Sequence, residues 1–179
     1  MAILSMADSS ISEGKAQVQA AITEEGHISP LFLKAASLLS EITRMPQYPH
    51  TQASLQALLQ LGLKTKEPKL FECISKVIDL GTDQASVVSF FPVLLEALNA
   101  AIQQQVTFWA MHDIGENIQA YLAKYAANIQ EQASPLMQVL FQAVHSPDIY
   151  ANDALIPLGM ATLHYPSLLV ATPNASEDL

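Results

Sequence analysis

The sequence predicts an all-α protein: a single-domain helical bundle of about six or seven helices, followed by an irregular, apolar C-terminal segment. Of the 179 residues, 50% are apolar and 14% are charged, which is enough hydrophobic surface to form a core. Apolar side chains recur at three- and four-residue spacing along most of the chain. Capping residues, prolines and single glycines separate these stripes and mark where helices start and stop.

Four helices are predicted in the first half of the chain. Ser10 and Glu13 form a capping box that opens a helix ending at Gly26. Ser29-Pro30 and Pro68 place proline in the first turn of two further helices. The other predicted boundaries are a helix end before Pro46, a helix start at Thr51, a left-handed C′ residue at Gly62 and a helix end at Gly81. The apolar stripe of the last helix is Leu70, Phe71, Ile74, Val77 and Ile78.

In the second half, Pro92 is predicted to lie in the first turn of a long helix that continues to about Met111. Residues 112–116 then indicate a break, with their acidic side chains forming a second capping box. The alternative is one continuous helix of about 40 residues that tolerates Gly115 at a cost of about 1 kcal/mol. Further helices are predicted over residues 118–129 and from Ser134-Pro135 to His145.

The C-terminal residues 154–171 carry no charged side chain and mix prolines with large apolar residues. We expect an extended or broken segment that packs on this chain's own helices or on a partner, and we favour the first. The sequence thus divides into a helical domain over 1–153 and an extended apolar segment with a frayed end over 154–179. Its large side chains, each contributing about 1.5–3 kcal/mol when buried, are Leu155, Ile156, Leu158, Met160, Leu163, Leu168 and Leu169.

Charge is unevenly distributed along the chain. Residues 77–179 carry ten acidic side chains and one basic side chain, Lys124, whereas residues 1–76 sum to zero. An acidic field repels phosphate backbones and anionic lipid, and the chain has a single arginine, Arg44. We therefore expect no nucleic-acid binding, and a protein partner that offers a basic or mixed segment.

The longest weakly charged stretch, 154–172, contains Pro157, Pro166 and His164, and the sequence includes no run of about 18 apolar residues. Residues 1–6 are too short, and lack the basic side chains, for a secretory signal. The only cysteine, Cys73, cannot form a disulfide within the chain. These observations predict a cytoplasmic protein with no membrane span.

No pattern in the sequence indicates a catalytic, metal or cofactor site. Cys73 lies on an apolar helix stripe without a reactive-cysteine signature, which favours a buried structural role. One Glu-x-x-His pair exists, Glu24 and His27, but Gly26 lies inside it at a predicted helix end. Zinc-type spacings and a Gly-x-Ser-x-Gly elbow do not occur. We predict that the protein is not an enzyme and uses no cofactor.

The predicted function is a protein–protein interaction module, because the apolar excess has no membrane span to explain it. In size and acidity the chain resembles bacterial secretion chaperones and adaptors, which hold a client or a coupling-protein segment. One alternative is an obligate homo-oligomer with residues 92–132 as its seam. A further alternative is an unfamiliar helical enzyme that uses His112 with Glu116. The candidate partner-binding residues are Phe108, Trp109, Leu158, Leu163, Tyr165, Leu168 and Leu169.

Overall fold

A computed structural model describes residues 29–45, 48–103, 107–146 and 151–170. This part of the chain holds eight α-helices and one short 3-10 helix, and it contains no β-strand. The all-α prediction is therefore confirmed, while the helix predicted over 10–26 lies outside the described residues. The helices are α1 (Pro30–Ile42), α2 (Thr51–Thr65), α3 (Pro68–Leu80), α4 (Gln84–Gln103), α5 (Thr107–Tyr125), α6 (Ala133–Val144), α7 (Ala151–His164) and α8 (Ser167–Val170), with the 3-10 helix at Gln130–Gln132.

The chain divides into two compact units, and the division falls inside α4, between Phe90 and Phe91. This boundary differs from the predicted one between residues 153 and 154. The reason is that α7, which contains residues 154–164, packs on α5 and α6 and so belongs to the second unit.

Helix α3 is the centre of the first unit, where it packs on both α1 and α2. Its predicted apolar stripe is confirmed, since all five side chains are buried together with Cys73. Pro30 and Pro68 lie in the first turns of α1 and α3, as predicted, where proline has no helical hydrogen bond to lose. Gly81 caps the C-terminal end of α3, and its N–H donates to the Val77 carbonyl.

The end of α2 differs from the prediction, because Gly62 lies inside the helix and is not its left-handed C′ residue. The helix continues to Thr65, and Lys66 adopts the left-handed conformation with φ 55°. A Cβ added at Gly62 would lie 2.8 Å from Cζ of Phe71, so this glycine makes room for the buried ring of α3. Close packing between helices, and not helix termination, accounts for the glycine.

Helix α4 begins earlier than predicted. Asp83 precedes it, and its Oδ1 accepts a hydrogen bond of 3.1 Å from the Ser86 N–H, as an N-cap does. Pro92 consequently lies inside α4 and not in its first turn, and its side chain is exposed. The described part of α4 extends to Gln103, and residues 104–106 lie outside the described residues.

Helix α4 also bears on the prediction that the sequence includes no apolar run long enough to span a membrane. By length and composition alone, α4 could cross a membrane, although 33% of its most apolar window is buried within the protein. A core helix of a soluble protein passes the same test, so α4 by itself is weak support for a span.

The predicted break at residues 112–116 is wrong, because α5 runs continuously through it. Asp113 is a buried helical residue and Glu116 an exposed one, so they do not form a capping box. A Cβ at Gly115 would lie 2.8 Å from Cε of Met111 and 3.5 Å from the carbonyl oxygen of Asp153 in α7. A side chain at this position would therefore crowd Met111 of the same helix, while the Asp153 carbonyl oxygen lies at an ordinary van der Waals distance.

The expectation of an extended segment is wrong for residues 154–164, which form most of α7. Tyr165 follows, and a single helical turn, α8, begins at Ser167. Pro157 lies inside α7 and has no N–H to donate to the Asp153 carbonyl. Contacts with α5 and α6 stabilise a helix that the local sequence disfavours.

Candidate interaction surface

Two alanines, a proline and a leucine form the inward face of α7. Ala154 and Ala161 are fully buried, and Pro157 and Leu158 are buried beside them. These four residues recur at three- and four-residue spacing, so they share one side of the helix. That side faces α5 and α6, the two helices on which α7 packs. The Asp153 carbonyl oxygen of α7 lies 3.5 Å from the Cβ position of Gly115, so the backbones of α7 and α5 are close at this point.

Large apolar side chains occupy the opposite side of the same helix. Leu163 is 83% exposed, Ile156 54% and Leu155 47%, and Met160 between them is partly exposed. In an ordinary surface helix the large apolar residues point inward and charged residues point to water. A helix that is apolar on both sides is typical of one that is covered on both sides. The outward side of α7 therefore has the composition of an interface.

Gly159 lies in the middle of this exposed side. An added Cβ would have no atom within 4 Å, so the surface is open at this position. Counting from Leu155, the exposed positions follow the spacing i, i+1, i+4, i+5 and i+8, which places them in one stripe along about two helical turns. We call this stripe the α7 outer face: Leu155, Ile156, Gly159, Met160 and Leu163.

One edge of the α7 outer face carries acidic groups. Asp153, one turn before Ile156, lies on the α5 side, with its Oδ1 3.5 Å from Nδ1 of His112. Glu116 follows His112 by one turn on α5 and is exposed. No charged side chain belongs to the α7 outer face itself. An uncharged apolar stripe with an acidic edge is thus formed by two helices of the second unit.

The candidate partner-binding residues predicted near the C-terminus differ in their exposure. Leu163 and Leu169 are exposed, whereas Leu158 and Tyr165 are buried in the second unit. The Tyr165 hydroxyl donates a 2.6 Å hydrogen bond to the Ala126 carbonyl, and burial raises the pKa of this phenol. Leu158 and Tyr165 thus hold the C-terminal helices to their own unit, and Leu168 is half-buried. The side chains of Phe108 and Trp109 lie outside the described residues.

The candidate catalytic groups show no reactive arrangement within the described part of the chain. Cys73 is buried, and burial raises the pKa of its thiol in spite of the opposing charges of Lys76 and Lys69. His112 contacts Asp153 and is exposed to water, which makes it a surface pair. Among the described residues, no group of three or more His, Cys, Asp or Glu side chains could hold a metal ion.

Sequence reasoning missed Leu155, Ile156 and Met160 as partner-binding candidates, although it named them as large apolar residues. A signal was available, because their spacing together with Leu163 is helical. The prolines obscured it by suggesting an extended chain.

Comparison with known proteins finds no matching family model, no matching curated protein and no matching solved structure.

Proposed function

We propose that the protein is a non-catalytic interaction module, a helical adaptor or chaperone that binds a segment of another protein. The observation that carries this proposal is the α7 outer face, on which large apolar side chains are exposed while small ones are buried beneath them. Leaving such a stripe in water is unfavourable, at about 25 cal/mol for each Å² of apolar surface. A partner that covers it recovers this free energy.

The acidity of the second unit supports the same proposal. Residues 91–179 carry eight acidic side chains and one basic one. Such a field speeds the approach of a partner with a basic or mixed segment and disfavours acidic competitors. A secretion-chaperone type of adaptor, which holds a segment of a client, is the finer form of this proposal. We include a cytoplasmic location in this proposal.

Site-specific photocrosslinking in the source cells tests the proposal. A photoreactive amino acid replaces Leu163 on the α7 outer face, and in the matched control it replaces Gln138, which is exposed on α6. We expect one dominant crosslinked protein from position 163, identified by mass spectrometry, and no enrichment of it from position 138.

Two other results would count against the proposal. Crosslinks between copies of this chain alone would favour the homo-oligomer, whose contacts the uncharged α7 outer face could also provide. Crosslinking from position 163 that is no stronger than from position 138 would remove α7 as an interaction surface.

A further inference from the structure

We infer that the α7 outer face binds the apolar side of an amphipathic helix from another protein, and that basic side chains of that helix meet the edge formed by Glu116 and Asp153. This inference rests on the proposed function and specifies the chemistry of the partner.

The shape of the α7 outer face favours a helical occupant. Its side chains form a straight stripe about 12 Å long, from Leu155 to Leu163, at 1.5 Å rise per residue. Gly159 leaves an opening at its centre, with no atom within 4 Å of the Cβ position. Large side chains on both sides of a gap accept the ridge of a second helix, as in other helix-in-groove complexes. About two turns of a partner helix match the length of the stripe.

The edge charges favour a basic partner over a second copy of this chain. Glu116 is exposed, and Asp153 is partly exposed beside His112. Lys124, the one basic residue of 91–179, lies two turns beyond Glu116 on α5. Two copies that met through this face would bring like-charged units together, which opposes association. Lysine or arginine beside the apolar side of a partner helix would instead be attracted.

The test uses two synthetic peptides with the full-length protein. Each is a 16-residue helix with leucine at positions i, i+3, i+4 and i+7. One has lysine at the flanking positions, and the other has glutamate there. Fluorescence anisotropy measures both at 50 and 500 mM salt. We expect the lysine peptide to bind about tenfold or more tightly than the glutamate peptide at low salt, and to weaken at high salt.

Variants distinguish this site from general acidity. Leu163→Ser combined with Ile156→Ser should weaken binding of the lysine peptide about tenfold or more. Leu38→Ser, at a leucine of the first unit whose exposure lies between those of Leu163 and Ile156, should not. Glu116→Gln should reduce the salt dependence, and Glu96→Gln, which removes the same charge from α4, should leave it unchanged. Circular dichroism confirms that each variant keeps its helix content.

Equal binding of the two peptides, or binding insensitive to the double α7 variant, would overturn the inference. Self-association that the double variant abolishes would identify a second copy as the occupant and also overturn it. The proposed function has a separate readout. A crosslinked cellular partner at position 163 that presents an acidic or non-helical segment would contradict this inference alone and leave the interaction module standing.

Discussion

Helices α3 and α7 are of nearly equal length, 13 and 14 residues. However, α3 buries most of its large apolar side chains, whereas α7 exposes most of its own. In α3 the large apolar residues other than Leu80 are buried, and the charged Lys69, Glu72 and Asp79 are exposed. In α7 Ala154 and Ala161 are buried together with Leu158, while Leu155, Ile156 and Leu163 are exposed. Both helices pack on two neighbours. The difference shows that burial in this protein follows how closely neighbouring backbones approach as well as side-chain hydrophobicity.

The comparison also separates stability from recognition. The stripe of α3 contributes to the folding of its own unit, because its apolar surface leaves water on folding. The exposed leucines of α7 contribute little to folding, since they remain in water. Substitutions in the two helices should therefore differ in kind: α3 changes should affect unfolding, and changes on the α7 outer face should affect binding.

Thiol labelling should give the largest difference between the two helices. Cys73 is buried in α3 with a raised pKa, so native wild-type protein should react with a thiol reagent only through rare opening. In a Leu163→Cys variant the introduced thiol should react about a thousandfold or more faster than Cys73, and Cys73 itself should react fully only after denaturation. Fast labelling of the wild-type protein, measured by absorbance of the released thiolate, would contradict the burial of Cys73.

Truncation of the α3 core should produce the largest loss of stability. Phe71→Ala removes a buried ring that contacts the Gly62 position on α2. We expect a loss of about 3–5 kcal/mol in the free energy of unfolding. Urea unfolding followed by circular dichroism measures it, with the exposed Leu80→Ala at the end of the same helix as control. A loss below about 1 kcal/mol would mean that α3 is not the centre of its unit.

Enlarging a side chain on the inward side of α7 should destabilise the protein, while shortening a side chain on its outward side should not. Ala161→Leu forces extra volume between α7 and its neighbours and should cost about 1–3 kcal/mol. Leu163→Ala, two residues away and 83% exposed, should change stability by less than about 0.5 kcal/mol. Denaturant midpoints of the two variants provide the measurement, and the reverse order would invert our assignment of the two sides of α7.

A small stabilising effect is expected at Gly159. Because a Cβ there meets no atom, Gly159→Ala should stabilise the helix by about 0.5–1 kcal/mol. The matched variant Gly62→Ala should instead destabilise, since its Cβ meets the Phe71 ring. Thermal unfolding of the pair compares an open glycine with a crowded one, and a destabilised Gly159→Ala variant would show that the surface at α7 is not open.

Several helix boundaries and apolar stripes were predictable from local sequence patterns, because the capping signals and the tertiary contacts favour the same structure there. The proline at the start of α3, its apolar stripe and its end at Gly81 all coincide with the structure. In contrast, Gly62 and Gly115 resemble stop signals in the sequence but lie inside helices, where a Cβ would crowd Phe71 of the neighbouring helix and Met111 of the same helix, respectively. A glycine that ends a helix and one that admits a neighbour look the same along the chain.

The amino-acid sequence by itself determined the helical class, the helices with matching caps and stripes, and the acidity of the second half of the chain. These properties depend on composition and on spacing within about four residues. Only the tertiary structure decided that residues 154–164 are helical and that their large side chains face outward. Proline weakens an isolated helix, and contacts with α5 and α6 outweigh that cost. Which side of a helix is buried depends on how closely its neighbours approach, and in α7 the buried side is the one that carries Ala154 and Ala161.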